Sequence, residues 1–256
     1  MNGKDTPSSS GDPNGPAQSN RTHETDIQVV DAIDAVRLRP EMYIGPDREA
    51  GIIQLINPAV ETLLRQGARN VQVTLQTDNI VTITDDGPGL SLDPRRPDGR
   101  PPFAQECLTE LLCGFGAPTL VVTNALSQWL ELTIWGNGYQ WEQSYRLGRP
   151  LDELHQSGVT EKHGNSLRFM PDPALFQEIA YDFDKVAGWF RKRESDFEQL
   201  LAKEEPRDWY GKAKRDLAVL FRNAHTTIID ERFITSNPDG ARRATFRPGP
   251  LATGSD

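Results

Sequence analysis

The stretch at 70–90, NVQVTLQTDNIVTITDDGPGL, decides the fold. NVQVTLQTD and NIVTITDDG each alternate β-branched with polar residues, the pattern of strands buried on one face, and the short turn between them makes a hairpin. The second strand runs into Asp85-Asp86-Gly87-Pro88-Gly89. That string carries two readings. Asp and Gly are ordinary turn residues after a strand. Glycines at such a turn also let the backbone come close to another group.

Upstream, IIQLINPAVETLLRQGAR has helical periodicity and ends at Gly67, a residue suited to a C-terminal cap. Within it Asn57-Pro58 looks like a helix start, with Asn57 as cap and Pro58 in the first turn. Before that, IQVVDAIDAVRLRP places Val29, Ile33 and Val36 on one face of a short helix broken at Pro40, and EMYIGP reads as an extended turn. Downstream, SLDPRRPDGRPP is a loop by composition, and FAQECLTELLCGFG predicts a helix ending in glycines. QWLELTIWGNGYQWEQSYRLG predicts two strands around Gly136-Asn137-Gly138, and HGNSLRFMPD a further strand. A charged helical stretch follows over about 182–219, and LFRNAHTTIID and RRATFRP are the last strands. Helices with antiparallel hairpins point to an α+β sandwich, with helices on one face of a mixed sheet.

Composition bounds the rest. The 256 residues suffice for one sizeable core, and residues 1 to about 24, rich in Gly, Ser, Pro, Asn and Asp, are expected as a disordered tail, as are 252–256. A net charge of −9 repels phosphate backbones, so autonomous nucleic-acid binding is not expected. Arg242, Arg243 and Arg247 read as a solvated surface. Cys107 and Cys113 are too few for a disulfide framework, and His23, His155, His163 and His225 lack ligand spacing. No apolar span, signal peptide or lipidation motif is visible, so the default compartment is the cytoplasm.

Five strings in order, IQVVDAIDAVRLRPEMYIG, VTLQTDNIVTITDDGPGL, VTNALSQWLELTIW, VTEKHGNSLRFMPD and LFRNAHTTIIDER with DGARRATFRPGPL, resemble the N-terminal GHKL ATPase domain of gyrase B and topoisomerase IV ParE subunits. The resemblance spans about 27–251, so 25–251 is expected as one such domain. It implies a mixed sheet backed by helices, with ATP held between them, and it implies that TLVVTNALS is helical.

The same resemblance assigns roles position by position. Asp85 matches the carboxylate that accepts from the adenine amino group, with Gly87 and Gly89 beside it. Pro88 stands where gyrase commonly has Arg. Gln54 stands at the general-base position, and an amide has no useful basicity near neutrality. Glu61 lies about 10 Å further along the helix, too far to act on the same water. Pro58 stands at the magnesium-ligand position and offers no ligand. Asn57 is about 100° away around the helix. Gly114 and Gly116, within the short segment from Cys113 to Thr119, match the phosphate-binding lid, although Pro118 removes one N–H there. Asn165 matches the pocket-floor threonine. The adenine end is therefore expected to be kept and the phosphate end dismantled.

The expectation is a non-hydrolysing GHKL domain that binds ATP or ADP, or serves as an assembly module, with Mg2+ not held. Its expected partner is another protein chain, a gyrase-like subunit or a second copy. The chain ends too early for the transducer and TOPRIM domains of gyrase B. Two alternatives remain: a divergent ATPase subunit of an ATP-hydrolysing DNA topoisomerase, and an adenine-nucleotide sensor. The segment at about 193–216 reads as an insertion, either a solvated helical hairpin broken by Pro206 or a docking surface anchored by Trp209 and Tyr210.

Overall fold

A computed structural model describes residues 30–94, 99–111, 120–177, 179–233 and 241–246. The two expected tails, Gly114, Gly116 and Arg247 lie outside these residues.

Four helices open the described chain: α1 (Ala32–Leu38), α2 (Glu41–Ile44), α3 (Arg48–Ile53) and α4 (Ile56–Arg65). Asp31 starts α1 by accepting from the Asp34 N–H at 2.9 Å, and the helix buries Ile33 and Val36. The extended turn expected over EMYIGP is instead the single turn α2. Pro40, at φ −60, is preset for a helix start, and its carbonyl accepts from the N–H groups of Tyr43 and Ile44. Gly45, at φ 78, ends it.

The hairpin at 70–90 is β1 (Asn70–Leu75) and β2 (Val81–Asp85), antiparallel with Val71 opposite Asp85. Its turn passes through Asp78 and Asn79 at positive φ, a conformation these residue types tolerate best after glycine. Two helices follow, α5 (Phe103–Thr109) and α6 (Leu120–Ala125). The helix expected to run from Phe103 into the glycines stops at Thr109, because the Leu108 carbonyl is taken by the Asn124 side chain of α6 at 2.9 Å. Next come β3 (Ser127–Gly136) and β4 (Tyr139–Arg146), joined through Asn137 and Gly138, both at positive φ as a two-residue hairpin turn requires. Short strands β5 (Arg149–Pro150) and β6 (His155–Val159) both pair with β4. The chain continues as β7 (Gly164–Pro171), α7 (Pro173–Phe176), α8 (Phe183–Leu201), α9 (Trp209–Arg222), β8 (His225–Asp230) and β9 (Arg242–Phe246).

The sheet order is β5-β4-β3-β7-β2-β1-β8-β9, with β6 beside β4. Among the described strands only β1 and β8 run parallel. Period-two alternation makes the sheet one-sided: Val71, Val73, Val81, Ile83, Leu130, Leu132 and Leu167 are buried, while Gln72, Thr82, Thr84, Glu131 and Arg168 between them are not. The buried face packs on α4, whose Ile56, Ala59, Val60, Leu63 and Leu64 are all inaccessible to solvent. This is the expected α+β sandwich. Arg37 clamps α1 to its neighbours, donating to the Ala125 carbonyl at 2.6 Å and to buried Asp172 at 2.6 Å. Arg242 is not merely solvated: it pairs with Asp184 at 2.6 Å and lies over the Phe183 ring. No described helix is long and apolar enough to cross a membrane.

Candidate functional site

β2 delivers two adjacent carboxylates to opposite faces of the sheet. Asp85 continues the buried series of Val81 and Ile83 and turns towards the helical layer. Asp86 turns away and ties down the start of β1, accepting from the N–H groups of Arg69 and Asn70, both at 2.8 Å, and from the Asn70 side chain. Burial pushes the Asp86 carboxyl up, but these bonds outweigh it and hold it below the usual carboxylate range. Asp86 is thus a structural cap, whereas Asp85 faces the helical layer.

Asp85 is held from both sides. One oxygen accepts from the Gly87 N–H at 2.7 Å, and the other from the backbone N–H and side-chain amide of Asn165, at 3.1 and 2.9 Å. Asn165, 1% exposed on β7, also accepts from the Leu90 N–H at 2.8 Å, so a single amide pins the 85–90 turn to the sheet. Burial raises the Asp85 carboxyl above its ordinary range despite the bonds from Asn165 and Gly87. A carboxylate accepts about four hydrogen bonds, so three protein donors leave room for one more.

The glycines of the motif are needed by the protein itself. A Cβ at Gly87 would lie 2.8 Å from the Asp85 carboxylate and 3.3 Å from the Ala68 nitrogen. At Gly89, with φ 88, it would meet Ile134 at 3.0 Å and the Trp135 carbonyl at 3.1 Å. Sequence reasoning missed Gly164, at φ 110, where a Cβ would overlap the Asp85 carbonyl. It also missed His163, whose Nδ1 lies 3.2 Å from the Gly87 carbonyl. The signal for both was adjacency to Asn165 in the string HGN.

α4 lies across β1 and β2 on the face to which Asp85 turns. Its junction with α3 is set by Pro58, which has no N–H for the Gln54 carbonyl. The chain there changes to tighter bonds, Gln54 N–H to Gly51 at 2.9 Å and Leu55 N–H to Ile52 at 3.2 Å, while keeping right-handed dihedrals. The Thr123 hydroxyl of α6 donates to the Leu55 carbonyl at 2.8 Å. The kink therefore falls three residues before the proline, and the expected cap at Asn57 is corrected: Leu55 occupies the cap position, and Asn57 is a buried residue of the first turn.

Gln54 is half-buried at the kink and Pro58 is buried in the helix. Asn57 and Glu61, one turn apart, face the α8–α9 hairpin instead. Glu61 is 1% exposed and forms an ion pair with Arg193 of α8. Burial raises its carboxyl, opposed by Arg193, by the Asn57 side chain and by Arg65. The structure thus brings Asp85, Gly87, Leu90 and Asn165 into one hydrogen-bonded unit, with Gly89 inside the turn that it pins, and it commits Glu61 elsewhere.

No family model matches the chain. Curated relatives do. It is 35% identical over 179 residues to the B subunit of the type 2 topoisomerase of Aquifex aeolicus, covering 62% of this chain and 22% of that protein. It is 33% identical over 224 residues to the B subunit of DNA gyrase from Enterococcus faecalis, and 34% over 224 residues to that of Staphylococcus epidermidis, each covering 80% of this chain and 31% of the relative. The chain therefore spans less than a third of the length of these relatives.

Proposed function

We propose that this chain, which carries a gyrase-B-like domain, binds an adenine nucleotide without hydrolysing it and works as a nucleotide-responsive assembly module. The observation that carries the reading is the contrast between two ends of one site. At one end Asp85 is positioned by Asn165 and Gly87, with one acceptor position to spare. At the other end the α3–α4 junction offers Gln54 and the first turn of α4 offers Pro58.

An exocyclic amino group is the donor that the remaining acceptor position of Asp85 suits. Hydrolysis asks for more: a base to take the proton of the attacking water, and neutralisation of charge on the phosphates. Gln54 is an amide and takes no proton near neutrality. The one buried carboxylate on α4, Glu61, is held by Arg193. Magnesium requires oxygen ligands in near-octahedral array, and Pro58 supplies no ligand atom, so α4 does not fit the metal. Losing the base alone costs about 10²–10⁴ in rate. The partner in this reading is a second protein chain, a gyrase-like subunit or a second copy, met through the nucleotide-loaded form.

Calorimetric titration with ATP and ADP, with and without Mg2+, tests this. The expected result is comparable binding of both nucleotides, unaffected by Mg2+ and weakened by Asp85→Ala. Tight binding only with Mg2+, or phosphate release abolished by Asp85→Asn, would restore an ATPase reading. Absence of binding at millimolar nucleotide would leave only the assembly role.

A further inference from the structure

α4 presents a second, separate surface. About 100° around the helix from Pro58, Asn57 begins a cleft of about 560 Å³ between α4 and the α8–α9 hairpin. The size is that of a small-molecule pocket. Its walls carry four cations, Arg65, Arg193, Lys203 and Lys214, against two carboxylates, Glu61 and Asp196. Glu61 is already paired with Arg193, so the cleft has an excess of positive charge in a chain of net charge −9.

Three polar atoms of its walls are buried with no hydrogen-bond partner: Asn57 Oδ1, Arg65 Nε and Arg193 Nε. Asn57 is only 7% exposed. A buried polar group left unpaired costs about 1–3 kcal/mol, and these three share one cleft. They are two donors and one acceptor. A carboxylate is the acceptor that guanidinium N–H donors suit, and a hydroxyl or amide N–H is the donor that suits Asn57. Arg193 lies over the Phe197 ring at 4.7 Å and Lys214 over the Tyr210 ring at 4.4 Å, and at the rim Tyr210 stays 49% exposed.

We propose that this cleft binds a small carboxylate that carries a hydrogen-bond donor beside the carboxyl group. A free hydroxy- or amino-acid presents that chemistry, and so does an acidic side chain next to a peptide N–H. The site shares no residue with the Asp85 unit, so it stands whether or not nucleotide binds.

The test is calorimetric titration of the full chain with L-malate, succinate, N-acetyl-aspartate amide and inorganic phosphate. Malate and succinate differ only in the hydroxyl donor. Malate is expected to bind at submillimolar concentration and succinate about tenfold more weakly, the loss of one hydrogen bond. Arg65→Gln is expected to weaken malate about tenfold or more, and Asn57→Leu to erase the difference between malate and succinate. Asn57→Leu removes the unpaired Oδ1 together with an amide that supports Glu61, so a thermal melt checks that the variant folds, and Arg65→Gln tests the site independently of it. Asp85→Ala leaves malate binding unchanged. Preference for N-acetyl-aspartate amide over malate would assign the carboxylate to a protein partner. No binding of any carboxylate at millimolar concentration, phosphate binding as tightly as malate, or indifference to Arg65→Gln would overturn the proposal.

Discussion

Arg193→Met exposes how much the Glu61–Arg193 pair contributes to holding the α8–α9 hairpin on the domain. Methionine keeps much of the stem that packs by Phe197, so the change removes charge more than volume. It leaves a carboxylate that is 1% exposed without its ion-pair partner. Breaking one side of a buried pair costs about 3–5 kcal/mol. Arg193 is 30% exposed and Arg65 remains near Glu61, so the expected cost is at or below the lower end, about 2–3 kcal/mol. The pH dependence has a definite sign. Burial already raises the folded-state carboxyl of Glu61 above its ordinary value, and loss of Arg193 raises it further. The folded state then holds a proton that the unfolded state releases, so stability is fully present below the ordinary carboxylate range and is lost as pH rises through the folded value. Urea unfolding followed by circular dichroism, at neutral and at mildly acidic pH, measures this. The variant is expected to lose its 2–3 kcal/mol at neutral pH, distinctly less in acid, and most of the loss is expected to return in Glu61→Gln/Arg193→Met. A neutral-pH cost below about 0.5 kcal/mol, or a double variant equal to the sum of the singles, would refute the buried-pair reasoning.

Other substitutions probe the Asp85 unit and the clamps around it. Asn165→Val leaves the Leu90 N–H unpaired and removes one donor from Asp85; unfolding should be easier by about 3 kcal/mol, and a change under 1 kcal/mol would argue against the staple. Gly164→Ala should prevent folding or cost about 3 kcal/mol or more, whereas Gly158→Ala, with nothing within 4 Å, should stay within about 0.5 kcal/mol by thermal melt. Arg37→Met should destabilise by about 3 kcal/mol, because it orphans buried Asp172; retention of wild-type stability would mean Asp172 is satisfied by its bond to Ala174 alone. Gln54→Glu/Pro58→Asn places a carboxylate and an amide on one helix face, and should make ATP affinity respond to Mg2+; a response equal to wild type would locate the deficit elsewhere.

The strands of the hairpin at 70–90 were legible because alternation there is undisturbed and the turn residues are unambiguous. The same holds for the Asn137-Gly138 turn, and for Pro206, which lies between α8 and α9. The misplaced features share a cause: their boundaries are set by partners distant in sequence. α5 ends where Asn124 reaches its carbonyl, and the α3–α4 kink lies upstream of Pro58 because the proline acts on the carbonyl four residues before it. The edge strand β6, HQSGV, has little apolar patterning and is a strand only because β4 pairs with it. In the site, Asp85 and Asn165 could be picked out as types in motifs. The division of labour between Asp85 and Asp86 could not, since it depends on which face of β2 each occupies. Nor could the diversion of Glu61, which depends on a helix more than a hundred residues later.

The parallel pairing of β1 with β8 joins Asn70–Leu75 to His225–Asp230, about 155 positions apart in the chain. Emerging from a ribosome, β1 therefore waits with one edge bare until nearly the whole domain has been made, and the exposed strand in the interval is Val-rich and prone to pair with other chains. The α8–α9 hairpin lies inside that delay. Closing a loop costs only about 0.6 kcal/mol more for each doubling of its length, so enlarging the hairpin scarcely weakens the finished protein. It lengthens the time for which the unfinished one is vulnerable.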